Sequence, residues 1–212
     1  MPLTSYSMVS FDVDGTLFRK AALTTAVHGL GIGERWDTYH KMNHQRRITL
    51  RECLDQQYKL LTGMRLQDVM REVSKVEMIQ NIRETVVKLQ GHGLGVTLLT
   101  DNPDFLCSYL VESFGFNGYT ASKVEVKDGI ITGKNEPVPD KSEGLKKYCT
   151  WMSILPKKCI HVGDWVNDIP VFKMVGYSVA LNPKTEKVRD RASFAIETND
   201  LMDVYRHLAS LK

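Results

Sequence analysis

From residue 80 onward, short apolar runs alternate with segments that have the spacing of amphipathic helices. The runs occupy residues 96–99, 159–162, 177–181 and 194–196, and helical patterns follow at 100–114, from 168, at 185–192 and from 200. Strands that are apolar at every position are typical of parallel sheets buried on both faces. The pattern therefore predicts an α/β fold with a three-layer, Rossmann-like parallel sheet.

The first 80 residues have a different texture. Residues 8–13 read as a buried strand, and no convincing strand follows until residue 80. Four helical patterns lie at 20–30, 34–45, 49–63 and 66–76, and the third begins with a capping box formed by Thr49 and Glu52. We therefore expect a core domain made of residues 1–18 and 80–212, with a helical cap domain, residues 19–79, inserted after the first strand.

Composition narrows the function classes. The chain has 212 residues and a net charge of +3, which argues against a dedicated nucleic-acid-binding protein. No window approaches the roughly 18 apolar residues of a membrane span, and no signal peptide is seen. The four cysteines form no CxxC pair, so we expect free thiols and a cytoplasmic protein.

Polar residues follow three of the predicted strands at the point where each strand ends. Ligands of parallel sheets collect at the carboxyl ends of the strands. Several carboxylates gathered at that edge repel one another and need a cation, and an all-oxygen set suits Mg²⁺. The residues at these ends are Asp12 and Asp14, then Thr100, then Asp164 with Asn167 and Asp168.

The first of these endings can carry phosphoryl chemistry. Strand alternation puts Asp12 and Asp14 on the same side, so one carboxylate can attack phosphorus while the other moves protons. Gly15 lets the chain turn away and leaves space for a phosphate. Taken singly, Asp14-Gly15 could be a turn, Thr100 a helix N-cap and Lys141 a surface lysine. Their ordered combination is what favours a phosphate site.

The series DVDGT at 12–16, LLT at 98–100, Lys141 and GDWVND at 163–168 resembles the haloacid dehalogenase-like superfamily of Mg²⁺-dependent phosphohydrolases. The likeness is greatest to the branch of phosphoserine phosphatases, which have a helical cap after the first motif. The resemblance implies that Asp12 is the nucleophile and that Asp14 protonates the leaving oxygen and then activates water. It also implies catalytic roles for Thr100 and Lys141, which would hold the phosphoryl oxygens.

The same resemblance supplies the expected ligand sets. The residues expected to bind substrate are Gly15, Thr100, Asp101, Asn102, Lys141 and Asn167. The residues expected to bind the metal are Asp12, Asp14 (through its carbonyl oxygen), Asp164 and Asp168.

The cap departs from the phosphoserine phosphatase pattern at two charged positions. Ala21 aligns with the glutamate that holds the substrate ammonium, and Gln57 aligns near the arginine that holds the carboxylate. We therefore expect a substrate other than phosphoserine. The pairs Arg19-Lys20 and Arg46-Arg47 could meet a second anionic group, or could be a solvated basic face.

Three other features stay open in the sequence. His40 and His44 have the spacing of a metal site, but no third ligand is evident, so surface or packing histidines are expected. His161 is expected to be a hydrogen-bonded core residue. Trp165 could narrow the substrate pocket or pack against the cap.

The function expected is hydrolysis of a small phosphorylated metabolite through an aspartyl-phosphate, with Mg²⁺ as cofactor. The alternatives are phosphotransfer to another hydroxyl, phosphoserine phosphatase activity itself, and a non-catalytic protein that binds a phosphorylated ligand. No nucleic acid or membrane partner is expected, and the protein is expected to be a monomer or homodimer.

Overall fold

A computed structural model describes all residues, 1–212. Its centre is a seven-stranded sheet in the order β4-β3-β2-β1-β5-β6-β7. The strands are β1 Met8–Phe11, β2 Gly95–Pro103, β3 Gly118–Lys127, β4 Ile130–Glu136, β5 Cys159–Gly163, β6 Tyr177–Leu181 and β7 Phe194–Ile196. All neighbouring strands are parallel except the β3–β4 hairpin. The strand order reverses at β1, so the topological switch point lies at its carboxyl end.

Ten α-helices surround the sheet. They are α1 Ala22–Gly29, α2 Gly33–His44, α3 Leu50–Lys59, α4 Leu66–Val73, α5 Ile82–Gly91, α6 Asp104–Phe114, α7 Lys141–Trp151, α8 Ile169–Met174, α9 Glu186–Arg189 and α10 Leu201–Ala209. None of them is long and apolar enough to cross a membrane.

The core has three layers because successive strand residues face opposite sides of the sheet. Val9 and Phe11 pack in one apolar cluster with residues of α5, α6 and α10. Met8 packs in a separate cluster with residues of α7 and α8. The predicted three-layer parallel sheet is confirmed.

The helices α1 to α4 between β1 and α5 have an apolar cluster of their own. Trp36, Tyr58 and Val69 belong to it, together with Val124 of β3 and Ile131 of β4. The β3–β4 hairpin therefore supports the inserted helices. The predicted capping box is present: the Thr49 hydroxyl accepts from the Glu52 N–H at 3.2 Å, and the Glu52 carboxylate accepts from the Thr49 N–H at 2.8 Å.

The end of β2 differs from the sequence prediction. The pattern at residues 100–103 indicated the start of a helix, but β2 continues through Pro103 and α6 begins at Asp104. Pro103 has an extended conformation (φ −69°, ψ 150°) and pairs with Ser122 of β3. Pairing with the neighbouring strand thus outweighs the turn preference of these residues. The predicted helices 66–76 and 185–192 are also shorter in the structure, at Leu66–Val73 and Glu186–Arg189.

Candidate active site

Asp12 lies at the floor of a cleft at the carboxyl end of β1. Because β1 is flanked by β2 and β5, the polar endings of all three strands meet here. The Asp12 N–H donates to the carbonyl of Val162 at 2.8 Å, which holds the residue at the end of the sheet. Asp12 is only 3% exposed.

Lys141 pairs with Asp12 in this buried position. Its ammonium lies 2.7 Å from Asp12 Oδ1 and 2.8 Å from Asp168 Oδ1. It is the first residue of α7, whose N-terminus is capped by Asp140: this carboxylate accepts from the N–H of Ser142 at 2.8 Å. The cap fixes where α7 starts and so aims Lys141 at the carboxylates.

Asp168 has donors on both of its carboxylate oxygens. Oδ1 accepts from Lys141 and faces His161 Nε2 at 3.1 Å. Oδ2 accepts from the N–H groups of Asp164 and Trp165, each at 3.1 Å. Four contacts saturate this side chain, so it holds Lys141 and the turn after β5 in place.

Asp164 is in the opposite situation. Its Oδ1 is buried and has no hydrogen-bond partner. Oxygen atoms of Asp12, Asp164 and Asp168 lie within 4.8 Å of one another. A hard cation such as Mg²⁺ prefers oxygen ligands of this kind, so these residues fit a Mg²⁺ ion, with Asp164 offering the free oxygen.

Two glycines make this crowding possible. Gly15 has a φ of +78°, and a Cβ at this position would lie 2.0 Å from Asp164 Oδ2. A Cβ on Gly163 would lie 2.4 Å from the carboxylate carbon of Asp168. Only glycine allows both carboxylates to approach the backbone this closely.

The buried charges shift one another's pKa values. Burial raises the pKa of Asp12 well above its usual range, although Lys141 opposes the shift. Burial and the nearby Asp168 raise the pKa of Asp164 to about 7. Burial alone would raise the pKa of Asp168, but Lys141 and His161 outweigh it and lower that pKa. Asp12 and Asp164 thus resist ionisation in the metal-free protein, as expected where a cation belongs.

Asp14 is suited to proton transfer. Its carboxylate accepts from the N–H of Ala22 at 2.8 Å, at the start of α1. Burial raises the pKa of Asp14 to about 6, although the Ala22 hydrogen bond opposes the shift. A carboxyl group with this pKa can both donate and accept a proton near neutral pH.

The residues after β2 form a tight polar turn. The Thr100 hydroxyl oxygen accepts from the N–H and side-chain amide of Asn102, at 3.2 and 3.1 Å. The carbonyl of Asp101 accepts from the hydroxyls of Tyr58 and Ser122. The Tyr58 bond links α3 directly to the end of β2.

A cavity of about 640 Å³ opens above Asp12, between the sheet and the inserted helices. Eight of the predicted site residues line it: Asp12, Asp14, Gly15, Asp101, Asn102, Lys141, Asp164 and Asn167. Thr100 and Asp168, both fully buried, lie behind the wall.

The inserted helices supply much of the remaining wall. Ala21, Leu50 and Gln57, the positions at which the sequence departs from the phosphoserine phosphatase pattern, all line the cavity. The amide nitrogen of Gln57 donates to the carbonyl of Trp36 at 3.2 Å, and its Oε1 is buried without a partner.

Other residues left open by the sequence now have positions. His161 is a core residue, bonded to Ser10 at 2.9 Å and to Asp168. Trp165 lines the cavity, and so do His40 and His44.

Sequence analysis missed Lys184, which follows β6 and also lines the cavity. The rule that placed the other strand endings at this edge would have found it, because β6 is parallel to β5.

The comparisons with known proteins agree with this arrangement. A sequence model of the haloacid dehalogenase-like hydrolases matches residues 135–208. The phosphoserine phosphatase of Methanocaldococcus jannaschii is 23% identical over 205 residues, covering 95% of this chain and 97% of that protein. The phosphoserine phosphatase of Albidiferax ferrireducens is 26% identical over 212 residues, covering 94% of this chain and 88% of that protein.

Solved structures share the fold. A phospho-aspartyl intermediate analogue of phosphoserine phosphatase superposes with a TM-score of 0.78 and 24% identity, covering 95% of this chain and 98% of that one. A probable phosphoserine phosphatase from Vibrio cholerae gives a TM-score of 0.84 and 20% identity, covering 99% of this chain and 65% of that one. The matched sequence model, the relatives along nearly the whole chain and the shared fold show that this chain belongs to the haloacid dehalogenase-like hydrolases.

Proposed function

We propose that this protein is a Mg²⁺-dependent phosphatase that hydrolyses a small phosphomonoester through an aspartyl-phosphate on Asp12. The observation that carries the proposal is the buried Asp12–Lys141 pair, which lines a cavity beside the unpartnered oxygen of Asp164. A carboxylate, a cation and a free metal ligand at one point are what phosphoryl transfer to an enzyme group requires.

The first half of the reaction forms the covalent intermediate. Lys141 contacts Asp12 Oδ1, which leaves Oδ2 without an ion-pair partner for attack on phosphorus. The new bond joins this oxygen to phosphorus as the ester P–O bond breaks. Asp14, protonated up to about pH 6, gives its proton to the departing oxygen. Lys141 offsets the charge on the phosphoryl oxygens.

The second half releases phosphate. Asp14, now a carboxylate, removes a proton from water, and the resulting oxygen attacks phosphorus. The bond to Asp12 breaks, inorganic phosphate leaves, and both aspartates return to their starting states.

The metal site proposed here uses Asp12, Asp164 and the carbonyl oxygen of Asp14. A bound Mg²⁺ would neutralise the carboxylates and the phosphoryl oxygens. Asp168 belongs to the proposed site through its contacts to Lys141 and to the backbone after β5, and Asn167 lines the cavity beside it.

The proposed cap, residues 19–79, covers the phosphoryl site and contacts the leaving group. Its contribution to the cavity wall contains no acidic residue. The ammonium of phosphoserine would therefore find no carboxylate on that side. This supports a substrate other than phosphoserine, although the relatives carry that name.

The test is hydrolysis of p-nitrophenyl phosphate by the purified protein, with Mg²⁺ and with EDTA. We expect Asp12→Asn to lower kcat by at least about 1,000-fold, because the nucleophile is lost. The matched control is Asp128→Asn: Asp128 is exposed in the β3–β4 turn with a φ of +51°, which asparagine also tolerates.

Full activity of the Asp12 variant, or equal rates with Mg²⁺ and with EDTA, would contradict the proposal. Product analysis in the presence of an alcohol separates hydrolysis from phosphotransfer. Inorganic phosphate as the sole product supports hydrolysis, and an alkyl phosphate supports transfer.

A further inference from the structure

The cavity wall away from the phosphoryl site carries cations without acidic neighbours. The acidic residues that line the cavity are Asp12, Asp14, Asp101 and Asp164, and all of them follow β1, β2 or β5. Arg19, Lys20 and Arg46 line the cavity on the side of the inserted helices, and we call them the cationic wall.

The cationic wall has no carboxylate partner. The ion pairs of the molecule within 4.0 Å involve none of its three residues. By contrast, exposed cations on the same inserted helices are paired, such as Lys59 with Asp55 at 2.7 Å and Lys75 with Glu72 at 2.7 Å. The cations that face the cavity are therefore free to bind an anion that enters it.

Arg46 has a second unusual property. It has a φ of +56° at the end of α2, where its N–H donates to Asn43 and the N–H of Arg47 donates to Met42. This is the position of a Schellman turn that glycine normally occupies. An arginine here costs free energy that glycine would avoid, and such strain is common at binding sites.

Gln57 adds a neutral acceptor. Its side chain lines the cavity, its amide nitrogen is bonded to Trp36, and its buried Oε1 has no partner. An unpartnered amide oxygen suits a hydroxyl donor from a ligand. The cavity thus offers cations for an anion and one acceptor for a hydroxyl.

We propose, on the basis of the proposed phosphatase function, that the substrate's leaving group carries a second anionic group, held by Arg46 with Arg19 and Lys20. A carboxylate or a second phosphate would meet this requirement, and arginine binds either through paired hydrogen bonds. A hydroxyl on the leaving group would donate to Gln57.

The test compares small phosphomonoesters that differ in charge. Glycerol 3-phosphate has no second charged group, 3-phosphoglycerate has a carboxylate, propane-1,3-diol bisphosphate has a second phosphate, and O-phosphoserine has a carboxylate with an ammonium. We expect kcat/KM of one or both dianionic substrates to exceed that of glycerol 3-phosphate by about tenfold or more, mainly through KM. Phosphoserine should fall below 3-phosphoglycerate, since the cations repel its ammonium.

The matched variants are Arg46→Gly and Arg47→Ala. Each removes one positive charge from the same turn, but Arg47 does not line the cavity. Arg46→Gly should lower the preference for the anionic substrates by about tenfold without lowering the melting temperature, since glycine suits the turn. Arg47→Ala should keep the preference.

Three outcomes would overturn the inference: glycerol 3-phosphate is hydrolysed as fast as the anionic substrates, phosphoserine is the best substrate, or the preference survives in Arg46→Gly. These outcomes leave the proposed function standing, because each requires turnover of phosphomonoesters. Failure of the proposed function would instead appear as no hydrolysis of p-nitrophenyl phosphate, or as full activity of Asp12→Asn.

Discussion

Replacement of Lys141 with methionine removes an ammonium group that lies between two buried carboxylates. The Lys141, Asp12 and Asp168 side chains are 1%, 4% and 0% exposed, and the two N–O distances are 2.7 and 2.8 Å. Methionine keeps most of the apolar length of lysine. The variant therefore tests the loss of the charge with little loss of packing.

The expected loss of stability is large. Removing one partner of a buried ion pair costs about 3–5 kcal/mol, because the other charge stays buried. For a chain of this size, each kcal/mol lowers the melting temperature by about 2–4 °C. The variant should therefore melt roughly 6–20 °C below the parent protein near neutral pH.

The loss should depend on pH in a defined direction. The folded-state pKa of Asp168 is lowered, by Lys141 and His161 against the effect of burial. Its contribution to stability is thus present above the unfolded-state pKa of about 4 and is lost as the pH falls toward the folded value. Without Lys141 the pKa values of Asp168 and Asp12 rise, so protonation relieves the variant as the pH falls. Its deficit should be largest near pH 7.5 and smaller near about pH 5.

The assay is thermal unfolding followed by circular dichroism, in EDTA so that bound metal does not compensate. Lys146→Met on the same helix is the control, because Lys146 is half exposed and pairs with Glu143 at the surface. It should change stability by less than about 0.5 kcal/mol. The reasoning is refuted if Lys141→Met melts within about 2 °C of the parent near neutral pH, or shows the same deficit at both pH values.

Three further predictions concern other parts of the site. Gly15→Ala should weaken Mg²⁺ binding by about 10–100-fold in calorimetry, since its Cβ would lie 2.0 Å from Asp164 Oδ2. Gly129→Ala, with a similar φ of +77° and open space around it, should leave Mg²⁺ affinity unchanged, and equal effects would contradict the steric argument. Tyr58→Phe should destabilise the protein by about 1 kcal/mol in urea unfolding, because the bond from α3 to the end of β2 is lost; an unchanged midpoint would count against it. Because the raised pKa of Asp14, about 6, keeps it protonated at lower pH, kcat/KM for an alkyl phosphate relative to p-nitrophenyl phosphate should fall above that pH. The decline should approach about tenfold per pH unit, and a flat ratio from about pH 5 to 8 would exclude Asp14 as the acid for the leaving group.

The fold could be predicted where local patterns and tertiary contacts favour the same structure. The strands β6 and β7 match the predicted residues, and β5 extends one residue beyond its predicted end. Each is an apolar run bounded by polar or turn residues, so its limits are visible locally. The end of β2 was not visible, because Thr100 to Pro103 have the composition of a turn and stay extended only through pairing with β3.

The candidate site shows the same division. The gathering of Asp12, Asp14 and Asp164 at one edge followed from the parallel sheet, in which all strands end at the same side. The state of each carboxylate did not follow. Asp168 has four donors and Asp164 has a free oxygen, although both belong to the same six-residue motif.

The order of apolar, helical and polar segments was enough to establish the three-layer sheet, the inserted helices and the kinds of side chain at the strand ends. Periodicity and capping involve residues a few positions apart, so the chain displays them directly. Only the folded molecule showed that Lys141 is buried against Asp12 and that Arg46, but not Arg47, faces the cavity. Those facts depend on distances between residues far apart in the chain, and pairing and burial at such distances are decided by packing.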